Sequence, residues 1–95
     1  MAYGYIIANV NVTNPEQYEE YKKFSTLAMQ KHGAELLTRG GKSELLEGNL
    51  HPRVVILRFP SFEAAQNFNN SAEYQLAKSK RIGAADMNMI VVEGI

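Results

Sequence analysis

Apolar residues recur along this chain with two different periods, and the changes between them mark out its elements. From Tyr3 to Val12, the residues Ile6, Ala8, Val10 and Val12 alternate with Tyr5, Ile7, Asn9 and Asn11. That period of two belongs to a strand with one fully apolar face. After Asn14 the period lengthens. Tyr18, Tyr21, Phe24, Leu27 and Ala28 fall on one side of a helix, and Glu16, Glu19, Glu20, Lys22, Lys23, Gln30 and Lys31 fill the other. Asn14 is placed to cap this helix, Pro15 suits its first position, Gln17 completes a capping box, and Gly33 is a left-handed stop. Acidic residues come early and basic ones late, as the helix dipole favours. The expected helix is about 18 residues long.

Beyond Gly33 the strand period returns. Ala34 to Arg39 reads as a strand, is interrupted at Gly40-Gly41, and resumes from Lys42 to Glu47. The glycine pair fits either a tight hairpin turn or a bulge that bends one long strand. Gly48 to Pro52 is a turn. Arg53 to Phe59 is a further strand whose run Val54-Val55-Ile56-Leu57 implies burial on both sides. Ser61 caps a helix carrying Phe62, Ala65 and Phe68 on one face. Asn69-Asn70-Ser71 breaks it, and Ser71 caps a short helix with Tyr74 and Ala77. Met87 to Glu93 is the last strand, apolar on both faces.

The order β-α-β-β-α-β predicts an α+β, ferredoxin-like fold: one domain over residues 1–95, with a four-stranded antiparallel sheet and helices on one face. The second, apolar face then needs a cover. A second copy packed on it makes a homodimer through the open sheet face, a dimeric α+β barrel of about eight strands. A ligand is expected between the two sheets.

Composition narrows the picture. The chain has 95 residues and no cysteine, with ten basic and ten acidic residues. A chain this short buries only about 60–65% of the surface it exposes unfolded, so a partner subunit is a natural source of further burial. The balanced charge argues against a nucleic-acid partner. No apolar run approaches the roughly 20 residues of a membrane span, and the first residues lack the pattern of a signal peptide, which makes the cytosol the default compartment. Two histidines without ligand spacing support no metal site and no resident cofactor.

The candidate chemistry is sparse. His32 could act as a general acid or base, or simply favour the end of the long helix. Arg39 beside Gly40 and Gly41 could hold a carboxylate or phosphate with backbone access, or be turn chemistry next to an exposed arginine. Asn9 could orient a ligand carbonyl. Arg81 and Asp86 either pair to fix the loop before the last strand or line the entrance of a cleft. Tyr18, Tyr21 and Tyr74 read as packing aromatics. No Ser-His-Asp or Cys-His set is present, and the third strand lacks the aromatic signature of RNA recognition motifs. Two functions follow. In one, a small cofactor-independent enzyme or binder takes a small organic molecule, anions included: Arg39 holds the charge, Asn9 orients, and His32 moves a proton. In the other, the dimer is non-catalytic and its apolar face serves assembly alone. Haem on His32 or His51 is a third reading.

One set of residues carries a family resemblance: His32-Gly33, Arg39-Gly40-Gly41, Leu46-Glu47-Gly48, Pro52-Arg53, Phe59-Pro60-Ser61, Ser71-Ala72-Glu73-Tyr74-Gln75, Arg81 and Val92-Glu93-Gly94. In order and spacing it resembles the bacterial domain of unknown function 1330 family, over nearly the whole chain. The resemblance implies a ferredoxin-like subunit and a dimeric α+β barrel, in a wider group that includes cofactor-free monooxygenases, isomerases and haem-binding relatives. It implies no particular activity. Leu50 and Phe68 stand where members of the family often carry tryptophan, and Ala34 where a glycine commonly follows the His-Gly pair.

Overall fold

The computed structural model describes residues 2–95. Strand β1 (Gly4–Val12) is followed by helix α1 (Pro15–Lys31), strands β2 (Glu35–Arg39) and β3 (Arg53–Phe59), helices α2 (Phe62–Asn70) and α3 (Ala72–Ser79), and strand β4 (Ala85–Glu93). The strands form one antiparallel sheet in the order β2-β3-β1-β4. The three N-caps hold: Asn14 accepts from the Gln17 amide, Ser61 from Ala64, and Ser71 from Tyr74. The expected capping box does not close, because the Gln17 carboxamide donates to the Lys80 and Ile82 carbonyls and the Asn14 amide to Ala84. Ser71 therefore ends α2 and starts α3, which splits the second helical region in two.

Alternation in β1 sets the two faces. Ile6, Ala8 and Val10 are buried beneath the helices, and register carries the same face across the neighbouring strands. One row reads Met87, Val10, Arg53; the next reads Met89, Ala8, Val55, Arg39; the next reads Val91, Ile6, Leu57, Leu36. Phe59, Phe68 and Tyr74 are fully enclosed between this face and the helices. Phe68 stacks at 5.1 Å from Phe59 and 4.9 Å from Tyr74, centroid to centroid. The opposite face carries Tyr5, Ile7, Asn9, Val54, Ile56, Arg58, Ile90 and Val92, with no helix over it.

Three sequence expectations are corrected. Lys42–Glu47 is not a strand: residues 40–52 are irregular, and every residue from Gly40 to Leu50 is exposed. Gly40-Gly41 is neither hairpin turn nor bulge. Gly40 has φ +68°, ends β2, and donates its amide to the Val54 carbonyl at 2.9 Å, so a long loop follows it. The bulge lies earlier, between Leu36 and Thr38. Strand β4 begins at Ala85 rather than Met87, because its pairing with β1 runs on to Val12.

Candidate functional site

The bulge has a chemical consequence. In an unbroken strand Arg39 would share the open face with Glu35 and Leu37. The extra residue at Leu37 flips every later side chain, since strand faces alternate with period two. Arg39 is thereby placed opposite Val55, on the helix side, where it lines a small cavity with Tyr18, Tyr21, Ser25 and Tyr74. Its Nη2 reaches the Lys22 carbonyl at 3.5 Å. The cavity holds about 30 Å³, room for about one water.

Two further arginines flank the same tyrosines. Arg53 shares its face with Val55, Leu57 and Phe59, and its guanidinium lies 5.6 Å from the Tyr18 ring centre. The guanidinium of Arg81, from the turn before β4, lies 5.5 Å from the Tyr21 ring. Tyr18 and Tyr21 stand 5.2 Å apart, so the four side chains form a ladder of arginine, tyrosine, tyrosine, arginine. Each cation faces a ring of favourable quadrupole. Gly40 belongs to this architecture as well: a Cβ there would collide with the Arg53 guanidinium.

The hydroxyls form a chain. Tyr74 donates to the Met89 sulfur at 3.4 Å, and with its single proton spent there it accepts from Tyr21 at 2.9 Å. Burial, then the adjacent Tyr74, pushes the Tyr21 phenol well above its ordinary pKa, so it remains a proton donor. Burial works against the charge of Arg81, but the hydroxyls of Tyr74 and Tyr21 beside it raise its pKa overall. Among the described residues, Arg39, Arg53 and Arg81 make no ion pair with a carboxylate. The Nε atoms of Arg53 and Arg81 are buried without a hydrogen-bond partner. Buried donors of this kind are rare, and each calls for an explanation. A concentration of cations and donors with no carboxylate is electrostatically complementary to an anion.

The other sequence candidates lie elsewhere. His32 hydrogen-bonds Glu73 at 2.9 Å and packs edge-on to Phe68, on the helical layer and away from this cavity. Lys31 bonds the same carboxylate at 3.0 Å. The bond to His32, then that to Lys31, brings Glu73 down from 4.5 to about 2. Because Glu73 stays ionised in the fold to about pH 2 while the unfolded chain takes up the proton near 4.5, its contribution to stability is present above pH 4.5 and is lost as the pH falls toward 2. Urea midpoints across that window should fall less steeply for Glu73→Gln than for the parent protein; parallel curves would show that Glu73 contributes nothing.

Asn9 spends its amide on the chain itself. Its Nδ2 donates to the His51 carbonyl at 2.7 Å, and its Oδ1 accepts from the His51 amide at 2.8 Å. It thus clamps the long loop where that loop enters β3. Arg81 and Asp86 are not paired: Asp86 is exposed opposite Asn11, while Arg81 turns inward. Arg53, present in the Pro52-Arg53 motif, is given no site role by the sequence, and the tyrosines read there as packing alone. The signal for Arg53 was its parity with Val55, Leu57 and Phe59. Among the described residues, no group of three or more His, Asp or Glu side chains could hold a metal ion, and no helix is long and apolar enough to cross a membrane.

The sheet order and the one-sided helices give this chain a ferredoxin-like α+β fold. It belongs to the family described as Domain of unknown function (DUF1330), matching it over residues 3–95. A protein of unknown function from Rhodopseudomonas palustris is 19% identical, with a TM-score of 0.75 over 99% of this chain and 83% of that one. SnoaB from Streptomyces nogalater, described as a cofactor-independent oxygenase, is 10% identical, with a TM-score of 0.68 over 97% and 92%. An ethyl tert-butyl ether D family protein from Bacillus halodurans is 13% identical, with a TM-score of 0.60 over the whole of both chains. At these identities the likeness is one of fold. No curated protein matches the sequence.

Proposed function

We propose that this protein binds, as a step toward transforming it, a small organic anion whose charged group sits at the arginine–tyrosine cluster between helices and sheet. The observation that carries the reading is the two buried, unpartnered Nε atoms of Arg53 and Arg81, in a cluster that also holds Arg39 and has no carboxylate partner among the described residues. The Tyr21–Tyr74 pair supplies a proton donor beside the guanidinium groups. The fold shared with a cofactor-independent oxygenase is compatible with chemistry on such a molecule. In this reading the anion lies on the helix side of the sheet rather than between two sheets, and His32 and Asn9 support the frame around it.

Benzoate is a suitable first probe. It should raise the melting temperature of the protein in proportion to the logarithm of its concentration, whereas neutral benzamide should not, and Arg39→Gln should reduce the response. Equal responses to benzoate and benzamide would sink the anion reading.

The same proposal includes a homodimer through the open sheet face. Ile90 and Val92 are 59% and 40% exposed there, and the chain is a slab only 17 Å thick. The four strands, of 9, 5, 7 and 9 residues, present a face of roughly 475 Å² per copy, so two copies would bury about 950 Å², the size of a weak specific interface. Light scattering should give twice the 10.6 kDa chain mass; a monomer at micromolar concentration would remove this part.

A further inference from the structure

The inner cavity of about 30 Å³ is too small for any organic acid. A second cavity of about 230 Å³ lies beside it, between α2 and the edge strand β4, and includes Gln66, Asn69, Asn70 and Val91 in its walls. The two cavities share two side chains, Ile6 and Met89. Ile6 is β-branched, stiff and buried at the centre of the sheet. Met89 is unbranched, with three rotatable bonds, and is the partition that can move.

What holds Met89 in place is weak. Its sulfur accepts from the Tyr74 hydroxyl at 3.4 Å and from Arg81 Nη2 at 3.9 Å. A thioether is a poor acceptor. It occupies the position in front of two strong donors where a carboxylate oxygen would bond far better.

We infer that Met89 is a gate and a stand-in: a ligand enters between α2 and β4, displaces the Met89 side chain, and puts its acid group where the sulfur was, on Tyr74 and Arg81. This rests on the anion reading above and deepens it by naming the ligand class. The ligand is a monoanion with a slender apolar body and a neutral polar far end. The body lies along Ile6 and Val91. The far end faces the carboxamides of Gln66, Asn69 and Asn70, which offer both donors and acceptors but no charge.

The test uses the full chain with methyl-labelled methionine, of which there are four, and 6-hydroxy-2-naphthoate as the probe. Titration should move the Met89 methyl signal more than those of Met29 and Met87. Gln66→Trp, at an exposed helix position that leaves the core intact, should block the outer cavity and weaken binding at least tenfold. Met89→Ala should bind as tightly as the parent protein or more so. An unchanged dissociation constant in Gln66→Trp, or an unmoved Met89 signal at saturation, would overturn the gate. If benzoate still binds with dependence on Arg39 in that case, the anion site survives and only the route is wrong. If neither acid binds, the anion reading fails and the gate fails with it.

Discussion

Phe68→Ala is expected to cost about 3–5 kcal/mol, the range for truncating a fully buried aromatic. Phe68 is wholly enclosed and contacts Phe59, Tyr74 and His32 through its ring. No single neighbour can move into the space, because Phe59 is fixed in β3 and Tyr74 is held through its hydroxyl by Tyr21. A small domain has only about 5–15 kcal/mol in all, so the variant should lie near the limit of folding. Urea denaturation followed by circular dichroism reads the loss directly from the midpoint, provided the slope is unchanged. A loss below about 1.5 kcal/mol would mean the core can collapse around the gap and that Phe68 is not its keystone. Phe68 also lines the inner cavity, so the surviving folded fraction should have a larger interior site.

Arg81→Gln should weaken benzoate binding about tenfold to a hundredfold, while leaving the stability of the free protein within about 1 kcal/mol. A hydrogen bond to a charged group is worth about 1.5–3 kcal/mol when its partner is present, and each 1.4 kcal/mol is a factor of ten in affinity. In the free protein Arg81 has no carboxylate partner and a buried Nε with none of its bonds made. Its removal therefore forfeits the contacts with Tyr21 and Tyr74 but also removes a buried donor that has no partner. The asymmetry between affinity and stability is the signature of a binding residue rather than a structural one. Arg81→Lys should recover only part of the affinity, since an ammonium does not reproduce the planar fork of donors. Isothermal titration with benzoate, paired with urea melts of each variant, separates the two effects. Equal loss of affinity and stability would reassign Arg81 to packing.

The elements were legible because they are local. Strand and helix periods, and the caps at Asn14, Ser61 and Ser71, depend on residues within a few positions of one another, and each forms where its pattern stands. Their order was enough to name the sheet and the one-sided helices. The stretch Lys42–Glu47 misled because leucines spaced among polar residues resemble a strand, yet β2 pairs with β3, and the loop between them forms no strand pairing among the described residues.

The site was legible only in part. Arg39, Gly40 and Arg81 were marked by their neighbours, and Arg53 could have been found from its parity with Val55 and Leu57. The face on which Arg39 emerges was not legible. It depends on one unpaired residue at Leu37, and a bulge is decided by how two strands meet, not by the residues that bulge. The fate of Asn9 likewise depends on His51, 42 positions away. The sequence by itself determined the elements, their order and the apolar faces, because these follow from local periodicity and capping. Only the tertiary structure decided which side of the sheet receives the arginines, which tyrosines join them, and where His32 and Asn9 spend their hydrogen bonds. Those outcomes depend on strand register and on contacts between residues far apart in the chain, which no local pattern records.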